Sequence, residues 1–163
     1  MEFRKAVFED LPEVLLLYQK ATQHMIDNGV KQWNEFYPNE EILKSDIEND
    51  SLYLSMHDSQ IACVFVLDQK CDSEYTKGNW MYPLSSFAVV HRLCVNPAFQ
   101  RQGLGFQAML AVESIVKDMK IDSIRLDAYS QNPAALRLYE KLGYSKVGTV
   151  TFHLVCHLFE KLL

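Results

Sequence analysis

Two glycines and an arginine stand close together in Gln100-Arg101-Gln102-Gly103-Leu104-Gly105, and the residues after them carry a helical apolar spacing through Ala108, Met109, Val112, Ile115, Val116 and Met119. A helix N-terminus presents amide N–H groups that no earlier turn can satisfy, and the positive end of the macrodipole. Glycines there strip side chains from the approach, so an anion can reach the backbone. Arg101 adds a fixed positive charge, which suits a polyphosphate better than a single carboxylate. The spacing is not that of the Walker loop, which needs Lys and then Ser or Thr after the last glycine, nor of the dinucleotide fingerprint, which needs a third glycine. A glycine turn that merely packs tightly is the structural alternative.

The elements around this loop follow from local physics. Residues 87–95 are β-branched and apolar and read as a strand, which Asn96-Pro97 stops because proline gives no amide to a ladder. The helix is expected over residues 106–120. Residues 121–129 form the next strand, and Asn132 opens a helix over residues 133–142 with Pro133 in its first turn and Gly143 at its end. Tyr139 lies seven residues beyond Asn132, close to two helical turns, so both project from nearly one face.

The run Arg92-Leu93-Cys94-Val95-Asn96-Pro97 with Gln100 to Gly105 resembles motif A of the GCN5-related N-acetyltransferase (GNAT) superfamily, whose signature is Gln/Arg-x-x-Gly-x-Gly/Ala. Asn132-Pro133-Ala134-Ala135-Leu136-Arg137-Leu138-Tyr139-Glu140-Lys141-Leu142-Gly143-Tyr144 looks like its motif B, and the two occur in the family's order. The resemblance implies acetyl-CoA as cofactor. Its pyrophosphate would rest on Gln100, Arg101, Gln102, Gly103, Leu104, Gly105 and Phe106. Its pantetheine arm would pair, like an added strand, with the main chain of Leu93, Cys94 and Val95. That slot exists in the family because this strand splays from the next, often at a β-bulge. Asn132 and Ala135 would meet the cofactor, and Tyr139 would protonate the leaving thiolate.

An alkyl amine with a pKa of ~10 is protonated at neutral pH, so a base must take its proton. His91 is the candidate, since by a period of two it shares a face with Leu93 and Val95, and histidine titrates near neutrality. A histidine bonded within the sheet is the alternative, and Glu35, Glu74 and water are the other bases. The resemblance does not settle this choice. Trp33 and Tyr37, with Tyr75 and Trp80, fall in two stretches without period and are expected either to fill a core or to wall the acceptor pocket.

A chain of 163 residues fits one domain, here 1–163, and 48% hydrophobic with 23% charged residues excludes disorder and a membrane protein. The net charge of −5 argues against nucleic acid and for a cationic acceptor. Residues 1–5 lack a signal peptide's apolar region and no run approaches ~20 apolar residues, so a cytoplasmic protein with no membrane partner is expected, working as a monomer or homodimer. Cys63, Cys71, Cys94 and Cys156 show no CxxC spacing and read as reduced thiols. His153 and His157 lack a third ligand on their face, so no metal is expected.

Earlier in the chain the pattern gives a strand over residues 2–7 and a helix capped by Asp10 that ends at Asn28-Gly29. A helix capped by Asn39 follows, then a hairpin over residues 51–56 and 60–67. Residues 68–86 have no period. Residues 145–151 and 155–161 are the closing strands. The expected fold is mixed α/β, with a mixed, mostly antiparallel sheet of about six to seven strands flanked by about four helices. The expected activity is N-acetyl transfer to a primary amine of a small molecule or peptide. A non-catalytic acyl-CoA-binding sensor or interaction module on the same fold is the alternative.

Overall fold

Short-range capping decides how the chain starts. In the computed structural model, which describes residues 2–163, strand β1 is Arg4–Lys5, shorter than the expected 2–7. The Asp10 carboxylate explains the early end: it accepts the Val7 amide at 2.8 Å and the Arg4 guanidinium at 2.7 Å, drawing residues 8–10 into a 3-10 turn. Asp10 therefore does not cap helix α1 (Leu11–Asp27) with its side chain, as expected, because the carboxylate is turned back toward β1. Helix α1 buries Leu11, Val14, Leu17, Tyr18 and Ala21 and ends before Gly29, whose φ is 79°. Helix α2 (Glu40–Glu48) is capped by Asn39 Oδ1, which accepts the Ile42 amide at 3.0 Å.

Strands β2 (Leu52–His57) and β3 (Gln60–Asp68) form the expected hairpin, turning through Asp58 and Ser59 at φ 48° and 62°. Two left-handed residues in a two-residue loop match the right-handed twist of the strands. After β4 (Phe87–Val95) and helix α3 (Leu104–Asp118) come β5 (Ser123–Tyr129), helix α4 (Pro133–Lys141), β6 (Ser145–Thr151) and β7 (Val155–Leu162). His153 lies in the turn between the last two strands, outside the strand face assumed for it.

The seven strands run in the order β1-β2-β3-β4-β5-β7-β6. Strand β4 pairs with β5 in parallel, whereas β1 with β2, β2 with β3, β5 with β7 and β6 with β7 are antiparallel. A parallel pair needs a long crossover, and α3 supplies it, which makes the sheet mixed. No helix among the described residues is long and apolar enough to cross a membrane.

The chain forms two compact units, one of residues up to Leu67 with Arg92–Ala108, the other of Asp68–His91 with Met109–Leu163. The first packs α1 and α2 on β2 and β3 through Val14, Tyr18, Leu43, Leu54 and Val64, with Cys94 in the same cluster. In the second, Tyr75, Val89, Val147 and Leu158 make an apolar cluster. Beside it the Arg125 guanidinium lies 4.2 Å from the Trp80 ring and 4.0 Å from Phe87, and Glu160 accepts its Nε at 3.1 Å.

Candidate active site

In the first unit, Asn96 closes β4. Its Oδ1 accepts the Ala98 amide at 3.0 Å and its Nδ2 donates to the Ile61 carbonyl at 2.9 Å, holding the turn Pro97–Phe99 that leads into the glycine loop. Arg101 and Gly103 both take positive φ, 64° and 77°. Helix α3 starts at Leu104, two residues before its expected start, because Gln107 donates to the Gly103 carbonyl at 3.1 Å. The amides of Leu104 and Gly105 thus lie ahead of the helix's own ladder. A Cβ built on Gly103 meets nothing within 4 Å, so the ground before this backbone is open, and Gln100, Arg101 and Gln102 are exposed around it. These features fit a polyphosphate.

Leu93 and Val95 are half-buried, and the Cys94 side chain is buried in the first unit's core, where burial pushes its thiol well above its ordinary value. The register between β4 and β5 runs from Phe87↔Ser123 to Val90↔Leu126. Arg92, two residues on, has φ 52°, so the alternation that would place His91 on the face of Leu93 and Val95 is interrupted between them, which corrects the sequence expectation.

In the second unit, His91 Nε2 lies 3.2 Å from Asp68 Oδ1 and 3.0 Å from the Lys70 carbonyl. Both partners accept, which assigns the proton to Nε2 and leaves Nδ1 as the basic nitrogen. Burial raises the Asp68 carboxyl, but hydrogen bonds from His91 and the Lys70 amide outweigh it and hold the group below its usual range. Asp127 is a candidate that sequence reasoning missed. Its carboxylate accepts the Tyr75 hydroxyl at 2.9 Å, and burial raises its pKa against the opposing pull of Tyr75 and the His91 charge. The available signal was a carboxylate inside the apolar strand run Ile124-Arg125-Leu126-Asp127-Ala128-Tyr129.

Tyr139 is 6% exposed, its ring edge-on to Tyr144 at 5.9 Å and tilted against Phe159 at 5.7 Å. Asn132 Oδ1 accepts the Ala135 amide at 3.2 Å, so both groups serve the N-terminus of α4. Among the acceptor candidates, Trp33 packs on Tyr18 at 5.3 Å in the first core. Tyr75 is 3% exposed and stacks on Trp80 at 5.6 Å, and the Trp80 indole donates to the Tyr75 carbonyl at 2.8 Å. These three rings fill cores, whereas Tyr37 is 40% exposed and accepts from Arg92 at 3.2 Å. Glu35 is exposed, and Glu74 is paired with Lys77.

The model of the Acetyltransferase (GNAT) family matches residues 29–144 of this chain. The chain belongs to that family. This acetyltransferase is 27% identical over 159 residues to the uncharacterized N-acetyltransferase YesJ of Bacillus subtilis (strain 168), covering 96% of this chain and 87% of the relative. Its fold is similar to that of a GNAT family acetyltransferase from Streptococcus agalactiae, with a TM-score of 0.87 at 23% identity over 99% of this chain and 95% of the other. The PaiA N-acetyltransferase of Thermoplasma acidophilum, solved with coenzyme A, superposes with a TM-score of 0.74 at 20% identity over 99% of this chain and 98% of its own.

Proposed function

We propose that this acetyltransferase moves the acetyl group of acetyl-CoA to a primary amine of a small molecule or peptide by direct attack of the amine. The observation that carries the reading is the loop of Arg101 and Gly103 opening onto the amides of Leu104 and Gly105, with bare ground before Gly103. Acetyl-CoA, when bound, supplies an electrophilic thioester carbonyl. The residues that would hold it are Arg101 and the amides of 103–106 for the pyrophosphate, and the main chain of Leu93 and Val95 for the pantetheine arm.

The chain's own groups have two proton tasks. His91 Nδ1 takes the proton of the amine, with Asp68 and the Lys70 carbonyl fixing the ring through Nε2. The Tyr139 hydroxyl holds the proton for the leaving sulfur. A thiolate leaves tolerably at neutral pH, since thiol pKa values lie near ~8.5, so the tyrosine adds rate without being indispensable. The exposed Tyr37 ring is the acceptor-side contact among the four aromatic candidates.

Release of free CoA thiol in the presence of polyamines, amino sugars, amino acids and peptide N-termini tests the reading. Tyr139→Phe keeps the ring contacts with Tyr144 and Phe159, so kcat should fall by roughly 10²-fold with acetyl-CoA affinity and melting temperature nearly unchanged. Full kcat in that variant removes Tyr139 from the mechanism. The enclosure of Tyr139 favours a second reading, a non-catalytic acyl-CoA sensor. Tight acetyl-CoA binding without turnover on any of these amines would select it.

A further inference from the structure

Six non-glycine residues have positive φ among the described residues, and five of them, Asp50, Asp58, Ser59, Arg101 and Lys120, lie in turns. Arg92, at φ 52°, lies inside strand β4. A side chain makes the left-handed conformation costly, so it persists where the surroundings enforce it. Here three parts of the first unit do so. From α1, the Tyr18 hydroxyl, in a residue 1% exposed, donates to the Arg92 carbonyl at 2.7 Å. From α2, Asp46 Oδ1 accepts Nη2 at 2.6 Å, with the two side chains 14% and 11% exposed for Arg92 and Asp46. From the segment between the helices, the Tyr37 hydroxyl accepts Nη1 at 3.2 Å. Arg92 Nε is buried without a hydrogen-bond partner among the described residues, a second cost at the same position.

An extended residue at position 92 would keep the strand regular, so the left-handed one makes β4 irregular there. The irregularity has a definite location: the register with β5 ends at Val90, and the main chain assigned to the pantetheine arm begins at Leu93. A left-handed residue within a strand rotates the peptide planes that follow it, as in a bulge. We propose that Arg92 is a positioning residue, whose left-handed backbone, held by Tyr18, Tyr37 and Asp46, aims the N–H and C=O groups of residues 93–95 at the amide-bearing arm of an acyl-CoA. This rests on the cofactor assignment above.

The test is calorimetric titration of acetyl-CoA into wild type, Arg92→Ala, Arg92→Gly and Tyr18→Phe, each measured well below its own melting temperature. Arg92→Ala removes the clamp and keeps the steric cost of φ 52°, so the backbone should relax to an extended form and affinity should fall on the order of tenfold. Glycine is ordinarily the poorer strand residue, yet it accepts φ 52° without that cost, so Arg92→Gly should bind more tightly than Arg92→Ala. A residue that served stability alone would not order the affinities of folded variants in this way. Tyr18→Phe should bind about threefold more weakly, through loss of one hydrogen bond to the Arg92 carbonyl. Should Arg92→Ala not fold, Tyr18→Phe decides: weakened binding supports the proposal and unchanged binding overturns it. Wild-type affinity in Arg92→Ala, or Arg92→Gly binding no tighter than Arg92→Ala, also overturns it. Failure of the wild type to bind acetyl-CoA would instead overturn the cofactor assignment itself.

Discussion

Glu160→Ala should be among the most damaging single changes in the second unit. The Glu160 side chain is 0% exposed and satisfies three donors: Arg125 Nε at 3.1 Å, the Met81 amide at 2.7 Å and the Tyr82 amide at 3.2 Å. Alanine leaves the Arg125 guanidinium, itself 7% exposed between Trp80 and Phe87, without its carboxylate. Breaking a buried pair from one side costs ~3–5 kcal/mol, and a buried amide without an acceptor costs ~1–3 kcal/mol, the two overlapping because one cavity admits water to both. A loss of about 4 kcal/mol is expected, and at ~2–4 °C per kcal/mol for a chain of this size the melting temperature should drop by ~8–16 °C. Urea unfolding followed by tryptophan fluorescence measures it, Trp80 reporting from the affected loop. The double variant Arg125→Leu with Glu160→Leu removes the stranded charge and should lose less than Glu160→Ala, about 1–3 kcal/mol for the amides alone. A loss below about 1 kcal/mol for Glu160→Ala, or a larger loss for the double variant, would refute the reasoning.

Gly103→Glu should weaken acetyl-CoA binding severely, since φ 77° strains any side chain there and the new carboxylate would repel the phosphates proposed to rest on this loop; calorimetry on the folded variant checks it, and unchanged affinity would remove the loop from the site. Arg101→Ala should weaken binding less and flatten its salt dependence, because one charge contact is lost, and titrations at two ionic strengths measure this. Asp127→Asn should raise the melting temperature at pH 7. Burial raises the folded pKa of Asp127 above its ordinary 3.8, so its contribution is favourable below that value and is lost as pH rises through the folded pKa, where the buried carboxylate must ionise. The asparagine oxygen still accepts from Tyr75, the advantage should vanish below about pH 4, and a variant less stable than wild type at pH 7 would contradict the burial argument.

Much of the chain is legible because the deciding interactions are local. The Asn39 and Asn132 caps each bond an amide three residues away, Asp58 and Ser59 turn a two-residue loop, and the apolar spacing of α1 and α3 marks the faces they bury. The loop proposed for the pyrophosphate is legible for the same reason: the groups assigned to it are backbone groups within a few residues, and the motif order around it is that of the family. Asp10 shows where local reading fails, since a carboxylate that could cap its own helix instead bonds the Arg4 guanidinium, six residues back, and the Val7 amide.

What the tertiary structure alone decided concerns groups far apart in sequence. His91 meets Asp68 across 23 residues, and the Tyr18 hydroxyl reaches Arg92 across 74, so neither the free imidazole nitrogen nor the left-handed turn inside β4 leaves a mark in the local pattern. Asp127 becomes a perturbed acid, and Trp33 and Tyr75 become core rings, through the elements that close over them. Aromatic composition alone does not separate a core filler from a pocket wall. Spacing along the chain determines which backbone groups a helix or loop must expose, whereas burial and side-chain partners are set by contacts that exist once distant segments pack.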